Sequence, residues 1–373
     1  MRRALPRSSM LVEGAILDAE GPRRAYARFR RGRLVETGAV GTDSSHGRER
    51  RIRGIVIPSP VNGHTHLGDA VSVREPPSGS LARLVGAPNG YKFRLLASTP
   101  RGAKLRAMRA AFGRMARAGV AATIDFREEG LDGVRLLRQA AQGSPVRAVI
   151  LGRPLRRPID PAELEGVLRA GDGIGLSSAR DESGETRALV ARACRVARKR
   201  YGLHASEAVR EAPGQYLDPR PDLLVHLARA TPDDLGQVRD AGVTVAVCPR
   251  SNALFGRQPD LGAMERLGLG VMLGTDNAMF HSPSIWRELE FAYVGSRLRH
   301  RPVSAAFLAQ CALVEPWRWL GAPGASRIAP DSPARPLVVR LPPDDPAYQI
   351  VTRTTEHLMV RFGPGGRGSG VAA

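Results

Sequence analysis

The sequence predicts an α/β fold: a (β/α)₈ barrel with a small β-sandwich domain built from both chain ends. Two observations lead to this fold class. From about residue 58 to 320, short apolar runs alternate with helical stretches, and the two ends of the chain carry short β-type segments instead. With 373 residues, of which 42% are hydrophobic, the chain can bury a large core, so we exclude a mainly disordered protein.

Eight apolar runs have the length and composition of buried strands. They cover residues 61–66, 121–126, 146–151, 173–177, 201–204, 223–226, 243–248 and 271–275. Eight strands, each followed by a helix or a loop, indicate a (β/α)₈ barrel.

Helical stretches lie between these runs and after them. They fall near residues 100–118, 130–142, 160–170, 184–200, 231–241, 260–268, 284–298 and 303–314. Thr231, followed by Pro232 and Asp234, is typical of an N-cap and a first helical turn.

The two chain ends have a different pattern from the middle. Residues 1–57 contain short strands separated by turns, and short β segments return after residue 325, at 336–341 and 348–353. We therefore predict that residues 1–57 and 325–373 form the β-sandwich domain and that residues 58–324 form the barrel.

The net charge of +20 comes from 56 basic and 36 acidic residues. Only Lys92, Lys104 and Lys199 are lysines, so the excess is arginine. Such a charge first suggests nucleic-acid binding. However, the arginines are scattered, no recognisable nucleic-acid module accompanies them, and 5% aromatic residues offer few platforms for base stacking. We therefore expect no nucleic-acid partner and interpret the charge as a compositional bias.

The cysteine count and the hydropathy pattern indicate where the protein works. The three cysteines, Cys194, Cys248 and Cys311, argue against a secreted fold built on disulfides. No apolar run approaches the ~20 residues of a membrane span, and no apolar stretch typical of a signal peptide follows Arg2 and Arg3. We expect a cytoplasmic protein that does not associate with membranes.

Two histidines, His64 and His66, end the first predicted strand. Residues two apart on a strand share a face, and in a barrel that face can point inward at the C-terminal mouth, where active sites lie. Neutral imidazole is a ligand for zinc, iron and nickel. The pair alone leaves a purely structural role open.

Further polar residues close other predicted strands. His204 closes the fifth strand, His226 the sixth and Asp276 the eighth. Each of them alone is typical of a hydrogen-bonded core or capping residue. The ordered set at strands one, five, six and eight indicates a metal site at the barrel mouth.

Five motifs carry a resemblance to a known family. They are Val61-Asn-Gly-His-Thr-His66, His204-Ala-Ser-Glu207, His226, Cys248-Pro-Arg-Ser-Asn252 and Leu273-Gly-Thr-Asp276-Asn277. The chain resembles the amidohydrolase superfamily from about residue 10 to 360, and within it the branch of triazine hydrolases and of cytosine, guanine and adenosyl-compound deaminases. The resemblance implies a metal-binding barrel beside a β-sandwich made from both chain ends.

The resemblance also implies which residues bind the metal. These are His64, His66, His204 and Asp276. Many relatives carry a second metal, bridged by a carboxylated lysine at the fourth strand, but here that strand reads Gly173-Ile-Gly-Leu-Ser-Ser178, with neither lysine nor glutamate. We therefore expect one divalent metal, Zn²⁺ first and Fe²⁺ as the alternative, because the ligand types do not separate the two.

Three residues are the candidates for catalysis. A metal with an open position lowers the pKa of its bound water to about 7. Asp276 would accept a proton from that water, and His226 would hydrogen-bond the water or the oxygen that develops negative charge. In the deaminases that the chain resembles, the residue at Glu207 passes a proton to a ring nitrogen; otherwise Glu207 is an exposed acid in the first turn of a helix.

Residues after several strands are candidates for substrate binding. They are Arg127, Arg180, Asn252 and Asn277. An arginine at the mouth would suit a carboxylate or phosphate of the substrate. Residues 67–98 form a long segment after the first strand, which we interpret as a lid or a substrate-selecting loop.

We predict a metal-dependent hydrolase of non-peptide carbon–nitrogen bonds that deaminates an amino-substituted heterocycle, such as a purine or pyrimidine derivative. Three alternatives stay open: hydrolysis of a cyclic amide or imide, release of a chlorine or alkylamine substituent as by the triazine hydrolases, and an inactive arginine-rich barrel that serves as a binding protein. The enzymatic hypotheses imply a small-molecule substrate. Because relatives are commonly oligomers, this protein could also form a homo-oligomer.

Overall fold

The computed structural model describes residues 9–43, 49–72 and 74–360. Within these ranges the strands, in chain order, are β1 (Ser9–Asp18), β2 (Gly21–Arg30), β3 (Arg33–Gly38), β4 (Arg50–Pro58), β5 (Val61–His66), β6 (Ala122–Arg127), β7 (Arg147–Gly152), β8 (Gly173–Ser178), β9 (Arg200–Ala205), β10 (Leu223–His226), β11 (Thr244–Val247), β12 (Val271–Leu273), β13 (Asp276–Asn277), β14 (Pro336–Val339) and β15 (Met359–Val360).

The helices alternate with the strands through the middle of the chain. In the same described ranges they are α1 (Leu81–Val85), α2 (Tyr91–Ser98), α3 (Arg101–Arg117), α4 (Gly130–Ala141), α5 (Pro161–Ala170), α6 (Gly184–Val196), α7 (Pro213–Leu217), α8 (Pro232–Asp240), α9 (Pro249–Leu254), α10 (Leu261–Leu267), α11 (Ile285–Leu298), α12 (Ala305–Leu313), α13 (Glu315–Trp319) and α14 (Pro346–Arg353).

The strands of the middle of the chain form one parallel sheet. Its order is β12-β11-β10-β9-β8-β7-β6-β5-β13. The two strands at its ends, β12 and β13, are separated in the chain by only Gly274 and Thr275, and β13 pairs with β5. The sheet therefore curls until its last strand meets its first, which confirms the α/β class and the parallel strand order of the prediction.

The strands of the two chain ends form a second, mixed sheet. Its order is β15-β14-β4-β1-β2-β3, with β1 and β4 parallel and the other pairs antiparallel. Alternate residues of β1, such as Val12 and Ile16, pack with Phe29, Val56 and Val338 into one apolar cluster, as the two-residue period of a strand requires. Among the described residues, strands from both chain ends thus share one sheet, while the β-sandwich domain with its bounds stays a prediction.

Helix starts follow the local signals in the sequence. The hydroxyl of Thr231 accepts a hydrogen bond from the Asp234 backbone N–H, and Pro232 occupies the first turn of α8, as predicted. Asp160 caps α5 in the same way through the Ala162 N–H. These caps fix where the helices after the strands begin.

The prediction of a β segment at 348–353 was wrong, because these residues belong to α14. Asp345 accepts a hydrogen bond from the Tyr348 N–H, and Pro346 follows at the first helical position. Ala347, Ile350 and Val351 are buried on one face, at helical spacing. The β-branched residues of this stretch favoured a strand, but the cap and the spacing decide for a helix.

The chain divides into two compact units, Asn62–Val303 and Met1–Val61 with Ser304–Ala373. The helices α12 and α13 belong to the unit of the chain ends; with α11 they form a run of three helices between β13 and β14. No helix in the described part of the chain is both long enough and apolar enough to cross a membrane.

Candidate metal centre and cavity

Polar side chains gather at the carboxyl edge of the parallel sheet. His64 and His66 lie on β5, His204 on β9 and His226 at the end of β10, while Asp276 begins β13. All five are buried, with at most 8% of any residue exposed. Because the strands are parallel and the sheet curls, residues that are distant in sequence meet at one place.

The five side chains surround a common point. His66 Nε2 lies 3.3 Å from His204 Nε2 and 3.5 Å from Asp276 Oδ1, and His64 Nε2 lies 3.4 Å from the same oxygen. Three overlapping groups have their ligand atoms within 4.8 Å of one another: His64 with His204 and His226, His64 with His66 and Asp276, and Glu207 with His226 and Asp276. Donors at this spacing could bind a divalent metal ion.

Contacts behind two of the rings turn their other nitrogen toward this point. His66 Nδ1 lies 2.8 Å from the Phe126 carbonyl oxygen and 2.7 Å from Glu128 Oε1. His204 Nδ1 lies 2.9 Å from the Leu176 carbonyl oxygen. When the Nδ1–H of His66 donates to the Phe126 carbonyl oxygen and that of His204 to the Leu176 carbonyl oxygen, each Nε2 carries a lone pair that faces the other donors, as in metal-binding histidines.

The fully buried His64 supplies the test of whether the site fits a metal. Neither of its ring nitrogens has a hydrogen-bond partner among the described residues. A buried polar group left in this state costs about 1–3 kcal/mol. Burial lowers the pKa of His64 to about 3 and that of His204 well below its ordinary value, so both rings are neutral at pH 7. Since metal ligation requires neutral imidazole, the donor set fits a divalent metal ion.

Asp276 is held as a carboxylate. Ser251 Oγ donates to its Oδ2 at 2.5 Å, and Asn277 Nδ2 donates to its Oδ1 at 2.9 Å. Burial by itself would raise the pKa of Asp276, but the proximity of His64 and the other histidines outweighs burial and keeps that pKa well below its ordinary value.

His226 and Glu207 face each other beside the donors. His226 Nε2 lies 3.5 Å from Glu207 Oε1, and Asn252 Nδ2 lies 3.2 Å from His226 Nδ1. Since an amide N–H can only donate, Nδ1 accepts and the neutral ring carries its proton on Nε2. Burial raises the pKa of Glu207 above its ordinary value. A carboxyl in this state can hold a proton closer to neutrality than an exposed glutamate.

The backbone turns sharply at these strand ends. His226 has a φ of 79° and Asp276 a φ of 59°, both in the left-handed region that residues with a side chain rarely adopt. Each such residue costs of order 1–3 kcal/mol and is often found at functional sites.

Phe126 closes the interior of the curled sheet behind the histidines. Its ring centroid lies 4.7 Å from that of His64 and 5.0 Å from that of His204. Gly175 leaves the room for this ring, because a Cβ there would lie 2.5 Å from Phe126 Cδ1. The apolar ring keeps water away from this side of the donors.

A cavity of about 190 Å³ lies beside the donors on their other side. Part of its wall comes from the segment 67–98, which contains a 3₁₀ turn, Leu67–Val71, and the helices α1 and α2. Leu81, Val85 and Lys92 of this segment line the cavity. The segment thus contributes to the cavity, and its action as a lid stays a prediction.

The four predicted substrate-binding residues occupy different places. Arg180 and Asn277 line the cavity. Arg127 is fully buried, where it pairs with Glu128 and Glu129 and is absent from the cavity lining. Asn252 is also buried and contacts His226 from behind.

Sequence reasoning missed three buried charged residues at the site. Lys92 and Arg153 line the cavity, and Glu128 lies behind His66. Glu128 and Arg153 each follow the end of a strand of the parallel sheet, so the rule that found the histidines could have found them. Lys92 lies on a helix of the 67–98 segment, and only its rarity among the basic residues set it apart.

Curated proteins of similar sequence identify the family. The chain is 37% identical over 257 residues to a protein of Methanothermobacter thermautotrophicus named "Putative aminohydrolase", over 64% of this chain and 67% of that protein. It is 33% identical over 244 residues to a protein of the same name from Archaeoglobus fulgidus, over 64% of this chain and 68% of that one. No family model matches the chain. The chain belongs to the amidohydrolase superfamily.

Solved structures of the superfamily share the fold of this member. An adenosine deaminase of Xanthomonas campestris with bound zinc has a TM-score of 0.77 at 15% identity, over 97% of this chain and 92% of that one. A guanine deaminase of C. acetobutylicum with bound guanine gives 0.67 at 13%, over 96% and 99%. An atrazine chlorohydrolase of Arthrobacter aurescens complexed with zinc gives 0.70 at 17%, over 96% and 93%.

Proposed function

We propose that this protein is a metal-dependent aminohydrolase that removes an amino group from a heterocycle such as a purine or pyrimidine derivative. The observation that carries the proposal is the buried set of nitrogen and oxygen donors beside a cavity, with Glu207 and His226 between the two. The deaminases among the similar structures support the same chemistry. We also propose that the curled parallel sheet is a closed (β/α)₈ barrel and that the mixed sheet belongs to a β-sandwich domain, as in that superfamily.

One divalent metal would be bound by four of the donors: His64, His66, His204 and Asp276. Its chemical contribution would be a water ligand whose pKa lies near 7. Zn²⁺ is the metal that we propose, with Fe²⁺ as the alternative, because imidazole and carboxylate suit both. A single ion is favoured because β8 carries neither lysine nor glutamate.

Two carboxyl groups would move protons. The ionised carboxylate of Asp276 would accept a proton from the attacking water. The carboxyl of Glu207, whose pKa burial raises, would hold a proton and pass it to a ring nitrogen of the substrate. The surroundings of the two groups shift their pKa values in opposite directions, so Asp276 would be the base and Glu207 the acid.

His226 would stabilise the oxygen on which negative charge develops. Its Nε2–H is held in place by the Asn252 amide behind the ring. A fixed donor needs no reorganisation during the reaction and is therefore more effective than a mobile one.

The cavity would take the heterocycle. Its lining combines apolar side chains, such as Leu81 and Val85, with polar ones, such as Arg180 and Asn277. We propose substrate contacts for Arg180 and Asn277, and supporting roles behind the site for Arg127 and Asn252. A small molecule is the proposed partner, without nucleic acid; a cytoplasmic location and a homo-oligomer stay predictions.

Metal analysis and ammonia release test this proposal together. The purified protein should contain about one equivalent of zinc or iron, and His64→Ala should lose it while an exposed control, His300→Ala, retains it. The metal-loaded protein should then release ammonia from at least one member of a panel of amino-substituted nucleobases, nucleosides and thio derivatives.

Each negative result has a separate meaning. A folded protein that binds no divalent metal would overturn the proposal as a whole. Metal binding with turnover only of cyclic amides or imides, or of chloro- or alkylamino-triazines, would replace deamination by the corresponding hydrolysis, the latter being the class of the similar atrazine chlorohydrolase.

A further inference from the structure

Lys92 is a buried lysine in the wall of the cavity. It lies on α2, and only 3% of the residue is exposed. Burial of a charged side chain is costly unless ionic partners compensate for the lost hydration. Its partners are therefore informative about its role.

The first partner connects Lys92 to one proposed metal ligand. Lys92 Nζ lies 2.6 Å from Glu128 Oε1, and the same oxygen lies 2.7 Å from His66 Nδ1. Glu128 thus lies between the ammonium group and the ring, on the side of His66 that faces away from the other donors. Carboxylates in this place fix the orientation and tautomer of a metal-binding histidine.

The second partner connects Lys92 to another proposed ligand. Lys92 Nζ donates to Asn277 Oδ1 at 3.0 Å, and Asn277 Nδ2 donates to Asp276 Oδ1 at 2.9 Å. The same ammonium group therefore contacts the supports of His66 on β5 and of Asp276 on β13, two strands that pair with each other.

Charge strengthens the connection through Glu128. Glu128 lies between two buried cations, with Lys92 Nζ 2.6 Å from its Oε1 and an Arg127 guanidinium nitrogen 3.1 Å from its Oε2. A lysine with an ionised, buried partner at 2.6 Å has little freedom to move.

We propose that Lys92 is a positioning residue that holds the donor atoms of His66 and Asp276 in place from the wall of the cavity. This inference rests on the metal site of the proposed function. It assigns the 67–98 segment a part in building the metal centre in addition to lining the cavity. A consequence is that a change in α2 alters the metal donors directly.

The direction in which metal affinity changes in a Lys92 variant distinguishes a positioning role from a simple effect of the lysine's charge. Loss of a cation beside a bound metal ion removes repulsion, so charge alone predicts that Lys92→Met binds a divalent metal more tightly. Loss of positioning predicts weaker binding, and changes behind metal ligands typically cost 10–100-fold in affinity.

Cobalt binding provides the test. Metal-free full-length protein is titrated with Co²⁺ in the presence of a competing chelator, and the visible absorption of the bound ion reports its coordination. Lys92→Met should bind Co²⁺ about 10–100-fold more weakly, with a changed spectrum. Lys104→Met is the matched control, because Lys104 forms the same kind of ion pair with the adjacent Glu129, outside the cavity lining, and should leave affinity and spectrum unchanged.

A second variant keeps the test decisive if Lys92→Met does not fold. Glu128→Gln preserves the shape of the link and removes a negative charge, so charge alone already predicts weaker Co²⁺ binding, and the readout that reports positioning in this variant is a changed spectrum of the bound ion. If Lys92 acts on His66 through Glu128, the double variant should lose less affinity than the sum of the two single losses.

Two results are distinguishable failures. Wild-type protein that binds no Co²⁺ or Zn²⁺ overturns the proposed metal site and this inference with it. Wild-type protein that binds the metal, with Lys92→Met or Glu128→Gln binding equally well or more tightly and with an unchanged spectrum, overturns the role of Lys92 alone.

Discussion

Gly274 lies so close to His64 that a Cβ at position 274 would come within 2.6 Å of both the Cβ and the backbone nitrogen of His64. The neighbouring Thr275 N–H donates to the His64 carbonyl oxygen at 2.9 Å, so the backbones are tied together at this point. Neither contacted atom belongs to the flexible end of a side chain. A methyl group can therefore be accommodated only by moving one strand.

We expect Gly274→Ala to weaken metal binding and to lower the free energy of unfolding by about 1–3 kcal/mol, the usual cost of overpacking. Denaturant unfolding and metal content measure the two effects. Gly236→Ala is the control, because a Cβ there meets nothing within 4 Å, and within α8 alanine should be neutral or stabilising. Equal metal content in Gly274→Ala and wild-type protein would contradict this account.

Glu207→Gln should lower kcat by about 10²–10⁴-fold, the range for loss of a general acid or base. Metal content should stay close to that of the wild type, because the proposed ligand set does not include Glu207. Ammonia release measures the rate, and Glu290→Gln on the surface of α11 serves as the control. Unchanged turnover in Glu207→Gln would exclude the proton-transfer role.

The left-handed backbone of His226 predicts an unusual order of stabilities. His226→Gly should be more stable than His226→Ala by about 1 kcal/mol, because glycine adopts positive φ without the steric cost that a Cβ brings. The pair Val225→Gly and Val225→Ala, one residue earlier inside β10, should show the opposite order. Denaturant midpoints compare the four variants, and an alanine variant at 226 that is the more stable would argue against strain.

The position of Arg153 in the cavity wall predicts that the substrate carries a hydrogen-bond acceptor. It is 8% exposed and lines the cavity, its Nε donates to the Gly175 carbonyl oxygen at 3.3 Å, and no carboxylate of the described residues forms an ion pair with it. We expect Arg153→Met to raise KM by about tenfold or more with a smaller change in kcat, the pattern of lost substrate binding. The exposed Arg156→Met should leave KM unchanged. A loss of metal from Arg153→Met would instead indicate a structural role.

The sequence alone was informative where a strand pattern and a polar residue coincide. The bounds 61–66 and 223–226 agree with β5 and β10, and the residues at these strand ends do gather at one edge. A buried parallel strand is a short apolar run, and its carboxyl end is the place where a polar side chain can reach a common site. This rule depends only on local pattern and on the parallel arrangement of the strands.

The parts that the sequence did not reveal depend on side-chain direction and on contacts between distant segments. Arg127 ends β6, as His66 ends β5, yet it turns away from the cavity toward Glu128 and Glu129. Lys92 reaches the site from a helix whose position no local pattern predicts. The period of a strand tells which face a residue occupies, but it does not describe the packing of a long connection.

The pairing of β13 with β5 gives a bound metal a second consequence. His64 and His66 lie on the first strand of this sheet and Asp276 on the last, so an ion held by all three would act as a cross-link between segments far apart in the chain. Cross-links that close long loops restrict the unfolded chain more than short ones do. The metal would thus stabilise the folded chain in addition to taking part in catalysis. A polypeptide that ends before β13 would lack Asp276 and could not form this cross-link.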